Sequence, residues 1–346
     1  MSVHSHDSPA AFADRLLGWY DRAARVLPWR MPPGSAAVPD PYAVWMAEVM
    51  LQQTTVAAVA GYFERFTVRW PTVADLAAAE DADVMAAWAG LGYYARARNL
   101  LACARAVVAD HGGAFPDTEA GLRALPGVGD YTAAAVAAIA FGRAAVVVDA
   151  NIERVIARHR LIETPLPAAK RAIREVLAPL VPADRPGDFA QALMDLGATI
   201  CTPRSPACGI CPVMDDCAAR GRADIERLPV KPPKKAKPHR HGVAWWIERD
   251  GAIWLVRRPD KGMLGGMRAL PGGAWSGDRP RESGLVSVDH GFTHFDLTLT
   301  LVRREAPPET SDAAGEGEWW PLSALDAAGL PTLYRKLTDR MRERDA

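Results

Sequence analysis

Four of the five cysteines of the chain are crowded into one short segment. Cys201, Cys208, Cys211 and Cys217 follow one another with six, two and five residues between them. Four thiolates suit either a tetrahedral zinc ion or a 4Fe–4S cluster, and zinc sites usually pair their cysteines in two close knuckles. Here only the middle pair is close, so the spacing favours iron–sulfur over zinc modestly. The fifth, Cys103, lies in an apolar helical stretch and is expected to be a small core residue.

Two carboxylic acids lie where their surroundings could adapt them to acid–base chemistry. Glu48 is flanked by apolar residues in AEVMLQQTTV (47–56), and a carboxyl group in apolar surroundings has a raised pKa that suits a general acid. It could equally be an exposed residue of an amphipathic helix. Asp149 follows the run VVV and opens a helix, where it could be an N-cap or face a cleft.

The segment LPGVG at 125–129 predicts a tight turn directly before a helix that begins at Asp130. Gly127 and Gly129 allow the turn to expose its backbone amides at the start of that helix, which is a favourable place for an anion such as a DNA phosphate. An ordinary turn between two helices would also fit these residues.

Residues 12 to about 200 carry apolar side chains at helical spacing, punctuated by glycine and proline, and predict an all-α region. Residues 218–241 contain eight Lys or Arg, two acidic residues and four prolines. This composition predicts an extended linker that buries little apolar area, either as a solvated spacer or as a basic arm near phosphate.

From Gly242 the pattern becomes that of β-structure. Two apolar runs flank Asp250-Gly251, which is typical of a hairpin turn, and alternation over 295–301 predicts a half-buried strand. The last helix is predicted to bury Leu333, Leu337 and Met341. These elements predict a second, smaller α+β domain.

The overall charge of the chain gives no general attraction to nucleic acid, since 41 basic residues balance 41 acidic ones among 346. A DNA-binding surface would need local segregation of charge. We find no apolar run of 18 residues and no secretory signal, so we expect a cytoplasmic protein without a membrane segment. The abundance of Ala and Arg suggests a GC-rich bacterial genome.

Together these motifs resemble the HhH-GPD superfamily of base-excision glycosylases over residues 12–217. The resemblance rests on LPGVG-D-YTAAAVAAIAFG, on VVVDANIERV and on the cysteine spacing. EVMLQQT, LPWR and GLGYYARARNL are typical of its MutY family. The resemblance implies a helix–hairpin–helix glycosylase region ending in a 4Fe–4S loop (1–217), a basic linker (218–241) and a MutT-like, Nudix-fold domain (242–346).

A MutY-like chain is expected to be a DNA N-glycosylase that excises adenine mispaired with 8-oxoguanine or guanine in double-stranded DNA. The resemblance makes Asp149 a catalytic carboxylate, Glu48 the donor of a proton to adenine N7, and Asn151 an orienting residue. Tyr131 stands where bifunctional relatives carry a Schiff-base lysine, so we expect a monofunctional enzyme. Tyr131 is also expected to lie near Asp149 and hold it in place.

Further residues match positions that bind DNA in the family. Gln191 could read the edge of adenine through paired hydrogen bonds, although many relatives carry Glu there. Thr293 stands where relatives typically carry Ser. The matched adenine-pocket residues are Arg25, Leu27, Trp29, Arg30 and Gln191; the DNA-contacting residues are Gln53, Thr54, Tyr93, Leu125, Gly127, Val128 and Gly129; and the 8-oxoguanine reader is Phe292, Thr293 and His294.

Three alternatives compete with this interpretation. A bifunctional pyrimidine-lesion glycosylase would need a lysine at position 131, and a non-catalytic iron–sulfur DNA-binding protein would not need both Glu48 and Asp149. A nucleotide pyrophosphatase would need an acidic metal-binding helix, whereas residues 274–284 contain one Glu. We expect the chain to act on duplex DNA as a monomer.

Overall fold

The computed structural model of the chain divides into two compact units. The first comprises Met1–Ala78 and Ala102–Pro233, and the second comprises Ala79–Leu101 and Lys234–Ala346. Described residues are 8–233, 236–259, 262–279, 284–305 and 317–345. Residues 234–235 of the predicted linker and residues 280–283 of the segment expected to lack an acidic helix lie outside them.

Helices form the first unit, as the apolar spacing predicts. Several begin at a residue whose side-chain oxygen accepts a hydrogen bond from a backbone N–H of the first turn, as Asp40, Thr55 and Asp149 do. The helices of the chain are α1 (Pro9–Ala23), α2 (Pro41–Leu51), α3 (Val56–Arg69), α4 (Val73–Ala77), α5 (Asp81–Trp88), α6 (Ala95–His111), α7 (Glu119–Arg123), α8 (Asp130–Phe141), α9 (Ala150–His159), α10 (Ala169–Leu177), α11 (Pro186–Thr199) and α12 (Thr332–Asp345). Of these, α5 and α12 belong to the second unit, and α6 begins in the second unit and ends in the first.

Small residues bring the central helices of the first unit close together. A Cβ atom added to Gly187 of α11 would lie 2.7 Å from the backbone oxygen of Ala138 in α8. One added to Gly197 would lie 2.6 Å from Cβ of Asn151 in α9. Such distances leave no room for a side chain, so α11 must approach the start of α9 at a glycine.

The chain after the last cysteine is packed in its first part. Ala219, Ile225 and Leu228 form a small buried cluster with the cysteine loop, and the backbone N–H of Leu166 donates to Val230 at 2.8 Å. The expectation that this segment buries little apolar area is therefore wrong for these residues. Ala219, Ile225 and Leu228 are spaced so that they reach one buried patch, which overall composition does not reveal.

A six-stranded mixed sheet forms the core of the second unit. Its main order is β3-β2-β1-β5-β4, with β6 pairing to β2; β1 and β5 are parallel and the other pairs are antiparallel. The predicted turn at Asp250-Gly251 joins β1 to β2, and both residues have positive φ. The strands are β1 (His239–Arg249), β2 (Ala252–Arg257), β3 (Arg268–Ala269), β4 (Val286–Gly291), β5 (Asp296–Arg304) and β6 (Gly317–Pro321).

The alternating pattern of β5 and the helical pattern of α12 were both predicted correctly. Leu297, Leu299 and Leu301 are fully buried, and α12 contributes Leu333, Leu337 and Met341 to the same core. Among the described residues, no helix is both long and apolar enough to cross a membrane.

Candidate active site and cluster loop

Glu48 lies on α2 with only 6% of its surface exposed. The Tyr131 hydroxyl, in the first turn of α8, donates a hydrogen bond to Glu48 Oε2 at 2.6 Å. Burial raises the pKa of Glu48 above its usual range, while the Tyr131 bond and the positive charge of Arg30 oppose that rise. The interpretation of Glu48 as an exposed residue of an amphipathic helix is therefore wrong, and the carboxyl group is placed to carry a proton.

Asp149 caps α9 and lies close enough to Glu48 and Tyr131 for its charge to act on both. Its Oδ1 accepts the backbone N–H of Ile152 at 2.7 Å, and its Oδ2 accepts the side-chain amide of Asn151 at 2.9 Å. Burial raises the pKa of Asp149, and these two hydrogen bonds lower it. The cap thus holds a carboxylate in a fixed orientation, so capping and a chemical role are compatible.

Tyr131 forms its hydrogen bond with a different partner from the predicted one. Its hydroxyl bonds to Glu48 rather than to Asp149, which is held by Asn151 and the start of α9 instead. Burial, followed by the negative charges of Glu48 and Asp149, raises the pKa of Tyr131 well above its usual value. The phenol therefore stays protonated and orients the Glu48 carboxyl group.

A buried arginine missed in the sequence connects Asn151 to the cysteine loop. The Nη2 of Arg154 donates to Asn151 Oδ1 at 2.9 Å and to the backbone oxygen of Gly197 at 2.6 Å. Its Nε donates to the backbone oxygen of Cys201 at 2.7 Å. Because Arg154 bonds to both, the orientation of Asn151 depends on the backbone of the first cysteine. The sequence signal for this role was the position of Arg154 three residues after Asn151, on the same helix face.

Asp195 of α11 is a second functional residue that sequence reasoning missed. Its fully buried carboxylate accepts the backbone N–H and Nε of Arg25 at 3.0 and 2.6 Å, and Nη1 of Arg30 at 2.8 Å. Gln191 lies one turn earlier on α11 and is also buried. The pair of ionic contacts draws the 25–30 segment against α11, since the fully buried Asp195 carboxylate needs positive partners.

The structure places only some of the predicted adenine-pocket residues around one cavity. Trp29, Arg30 and Gln191 line one open cavity. Trp29 is buried and packs edge-on against Phe63, with ring centroids 5.4 Å apart. Leu27 is half-buried and does not line this cavity.

The hairpin presents its backbone, because the two apolar side chains of LPGVG point inward. Leu125 and Val128 are buried, and Gly127 has a φ of +73°. A Cβ atom on Gly129 would meet nothing within 4 Å, so the start of α8 is open to an approaching phosphate.

The turn after α2 holds two of the other predicted DNA contacts. Gln53 is exposed with a φ of +58°, which is uncommon for a non-glycine residue. Thr54 is half-buried, and its hydroxyl donates to the backbone oxygen of Gln52 at 3.3 Å.

Two sets of predicted DNA contacts belong to the second unit. Tyr93 is 48% exposed. The turn between β4 and β5 exposes Thr293 and His294, while Phe292 stacks on Trp275 with ring centroids 5.6 Å apart. The backbone N–H of Phe292 donates to Phe295 at 2.9 Å and closes this turn.

The four clustered cysteines line one cavity. Burial raises the pKa of Cys201, Cys217 and Cys211, the last to about 12. Thiolates in such surroundings need a positive partner, and a bound metal centre supplies one. Among the described residues, no group of three or more His, Cys, Asp or Glu is arranged to hold a single metal ion. The donor set of four cysteine thiolates around one cavity fits a 4Fe–4S cluster.

Arg158 of α9 fixes the backbone around this cavity. Its side chain is almost fully buried and donates to the backbone oxygens of Thr202, Pro203, Ile225 and Leu228 at 2.7–3.2 Å. It thereby joins the segment after the first cysteine to the segment after the last. A planar guanidinium can serve several acceptors at once, which a lysine cannot.

We expect Arg158→Lys to lower the free energy of unfolding by about 3 kcal/mol or more, because at least two charge-assisted hydrogen bonds worth roughly 1.5–3 kcal/mol each are lost. Urea titration and iron content of the purified protein measure this change. Arg171→Lys is the matched control, since the side chain of Arg171 is 88% exposed and bonds to Glu175. Wild-type stability and iron content in Arg158→Lys would contradict the assigned role.

Comparison with known proteins agrees with this architecture. The family model for HhH-GPD superfamily base excision DNA repair proteins matches residues 46–180. The iron–sulfur binding domain of endonuclease III matches residues 201–217, and a NUDIX domain matches residues 242–340. The predicted multidomain fold and the predicted iron–sulfur loop are confirmed.

Adenine DNA glycosylases of mammals align with nearly the whole chain. The human protein is 41% identical over 94% of this chain and 73% of its own length, and the mouse protein is 36% identical over 95% and 78%. The protein of Mycobacterium tuberculosis (strain ATCC 25618 / H37Rv) is 44% identical over 59% of this chain and 66% of its own.

Solved structures agree with the helical region. A thermostable thymine-DNA glycosylase superposes with a TM-score of 0.54 at 32% identity, covering 61% of this chain and 95% of the other. Endonuclease III in a non-covalent DNA complex gives 0.51 at 24% identity over 61% and 94%, which shows a shared fold. The family binds a 4Fe–4S cluster, for which Cys201, Cys208, Cys211 and Cys217 are the available ligands. From its sequence, its two domains and its relatives, the chain belongs to the family of adenine DNA glycosylases, enzymes of base excision repair.

Proposed function

We propose that the enzyme excises adenine paired with 8-oxoguanine or guanine in duplex DNA and leaves an abasic site without cutting the strand. The observation that carries this proposal is the grouping of Glu48, Tyr131 and Asp149, in which a tyrosine occupies the Schiff-base position. A phenol cannot form an imine with the sugar. We further propose that the enzyme acts as a monomer and, in a bacterial cell, at the nucleoid.

The two carboxylic acids divide the chemistry of N-glycosidic cleavage between them. Glu48 donates its proton to N7 of adenine, and the C1′–N9 bond breaks with its electron pair moving to the base. The sugar becomes an oxocarbenium-like centre, which the Asp149 carboxylate stabilises. Water then adds to C1′ and gives up a proton to the ionised Glu48, which restores the acid. Tyr131 orients Glu48 and Asn151 orients Asp149.

The adenine must leave the base stack before it reaches these residues. The free-energy cost of this step is lowest for a mispaired base. We propose that Trp29, Arg30 and Gln191 enclose the flipped base, with Arg25 and Leu27 at its margin. Gln191 would read N6 and N7 through its amide. Asp195 holds the two arginines in place.

The remaining contacts divide between backbone and exposed side chains. The LPGVG turn is proposed to bind a phosphate through its amides, since its apolar side chains are buried. Gln53 and Thr54 are proposed to fill the space that the adenine leaves, and Tyr93 is proposed to enter the base stack as a wedge beside the unpaired base. Functionally, we assign excision and cluster binding to residues 1–217, the connection to 218–241 and recognition of 8-oxoguanine to 242–346, with Phe292, Thr293 and His294 as reader.

A single-turnover assay on duplexes containing adenine opposite 8-oxoguanine or guanine tests this proposal. Labelled strand is analysed with and without hot alkali. Strand breakage only after alkali, faster opposite 8-oxoguanine, is the expected result. Breakage without alkali would show a lyase and contradict the role given to Tyr131. Absence of breakage with DNA bound and the cluster intact would overturn the assignment of adenine excision.

A further inference from the structure

Tyr93 is presented by a loop with unusual backbone geometry. Gly90 and Gly92 have φ values of +103° and +72°, and Tyr93 itself has a φ of +49°. An exposed aromatic residue in the left-handed region is strained, so the surrounding structure must hold it there.

A buried arginine supports this loop from below. The guanidinium of Arg96 lies 5.3 Å from the ring centroid of Trp88 and 5.6 Å from that of Tyr93. Its Nη2 donates to the backbone oxygens of Leu91 and Gly92 at 3.3 Å. Trp88 Nε1 donates to the same Gly92 oxygen at 3.1 Å. These contacts fix the backbone of Leu91 and Gly92 directly before Tyr93.

The next residue, Tyr94, connects the loop to the last helix of the chain. Its phenol oxygen accepts the backbone N–H of Gly90 at 3.4 Å. It also accepts the backbone N–H and the hydroxyl of Thr332, the first residue of α12. The first N–H groups of a helix lack partners within it, so a buried phenol oxygen is a favourable acceptor for them.

Two more contacts join the same segment to the C-terminal part of the chain. Arg98 Nη1 donates to the backbone oxygen of Gly265 at 2.6 Å. A Cβ atom on Gly329 would lie 3.1 Å from Cα of Ala86 in α5, so these backbones touch. Residues 79–101 and the sheet domain accordingly form one compact unit.

The same helix also reaches the strand that leads into the reader turn. α12 packs against β4, whose last residue Gly291 directly precedes Phe292. Arg340 of α12 donates to the backbone oxygen of Ser287 in β4. One helix thus contacts both the support of Tyr93 and the strand that carries the reader.

We propose that the Tyr94–Thr332 contact is a positioning contact through which the C-terminal domain sets the orientation of Tyr93 on DNA. The proposal rests on the proposed function of Tyr93 as a residue that enters the base stack. It gives the C-terminal domain a second task, because the domain that recognises the lesion also holds the side chain that occupies the stack beside it.

Fluorescence of 2-aminopurine placed beside 8-oxoguanine tests the contact without excision, in a duplex with a tetrahydrofuran abasic analogue opposite the lesion. Stacking on a neighbouring base quenches 2-aminopurine. Insertion of Tyr93 separates 2-aminopurine from 8-oxoguanine, so it raises the emission. We expect Thr332→Val and Tyr94→Phe to reduce the rise on saturation with enzyme to less than half. The double variant should lose no more than Tyr94→Phe alone, since both changes break one contact. Tyr93→Ser is the reference for loss of the side chain.

Thr338→Val is the matched control, because Thr338 is buried in the same helix and its hydroxyl donates to Arg335 within that helix. Its fluorescence should equal that of the wild type. Wild-type fluorescence in Thr332→Val and Tyr94→Phe would overturn the proposal, as would wild-type fluorescence in Tyr93→Ser. The excision assay tests the proposed function separately from the proposed contact. A wild-type enzyme that fails to excise adenine contradicts the proposed function, whereas wild-type fluorescence in Thr332→Val and Tyr94→Phe contradicts the contact alone.

Discussion

Glu48→Gln should reduce the single-turnover rate of adenine excision by about 10²–10⁴-fold, the contribution expected of a general acid. Gln keeps the volume of the side chain and can still accept the Tyr131 hydroxyl, but it has no proton to give to the base. Because burial raises the pKa of Glu48, ionising this group costs folding energy. We therefore expect Glu48→Gln to unfold at the same temperature as the wild type or at a higher one.

Glu153→Gln is the control for this change. Glu153 is also a buried carboxylate, but it pairs with the exposed Lys170 instead of with Tyr131. Excision by this variant should stay within a few-fold of wild type. Equal rates for Glu48→Gln and wild type on the same mispair would remove Glu48 from the mechanism, provided that both proteins bind the duplex equally.

The pH dependence of adenine excision follows from the protonation state that each of the two carboxyl groups must have. Glu48 must be protonated, so activity is lost as pH rises through its raised pKa; Asp149 must be ionised, so activity is lost as pH falls through its own. The profile should be bell-shaped, with two pKa values that belong to the coupled pair. Tyr131→Phe removes a bond that lowers the pKa of Glu48, so the alkaline limb should move to higher pH.

Much of the site could be predicted because its chemistry is carried by rare residue patterns. Four clustered cysteines, a carboxyl group in an apolar run and an aspartate opening a helix each restrict the possible chemistry. The hairpin turn and the burial of α12 followed from Asp250-Gly251 and from apolar spacing, since local sequence determines these features.

Contacts between distant segments could not be predicted in this way. Asp195 meets Arg25 across 170 positions, and Arg158 meets Leu228 across 70. Nothing local distinguishes these residues from ordinary charged positions on helices. The bond from Tyr131 to Glu48 was misassigned for the same reason, because two carboxylic acids lie near the phenol and only their placement decides between them.

Asp149→Asn separates the two roles of the residue that caps α9. Asparagine is as good an N-cap as aspartate and can still accept the backbone N–H of Ile152, so the helix should persist. What is lost is the negative charge beside the oxocarbenium-like centre. A preorganised electrostatic contact of this kind is worth roughly 3–4 kcal/mol, so excision should slow by about 10²–10³-fold. Single-turnover rates and thermal unfolding of the same preparation measure both roles.

Asp40→Asn makes the same chemical change at the cap of α2, where Asp40 accepts the backbone N–H of Tyr42 at 3.0 Å. It should leave both the rate and the unfolding temperature close to wild type. If Asp149→Asn also excised adenine at the wild-type rate, Asp149 would be a cap alone. If Asp149→Asn slowed excision only in proportion to a loss of folded protein, the charge would again have no catalytic part. A slow but fully folded variant is the outcome that a carboxylate acting on the sugar requires.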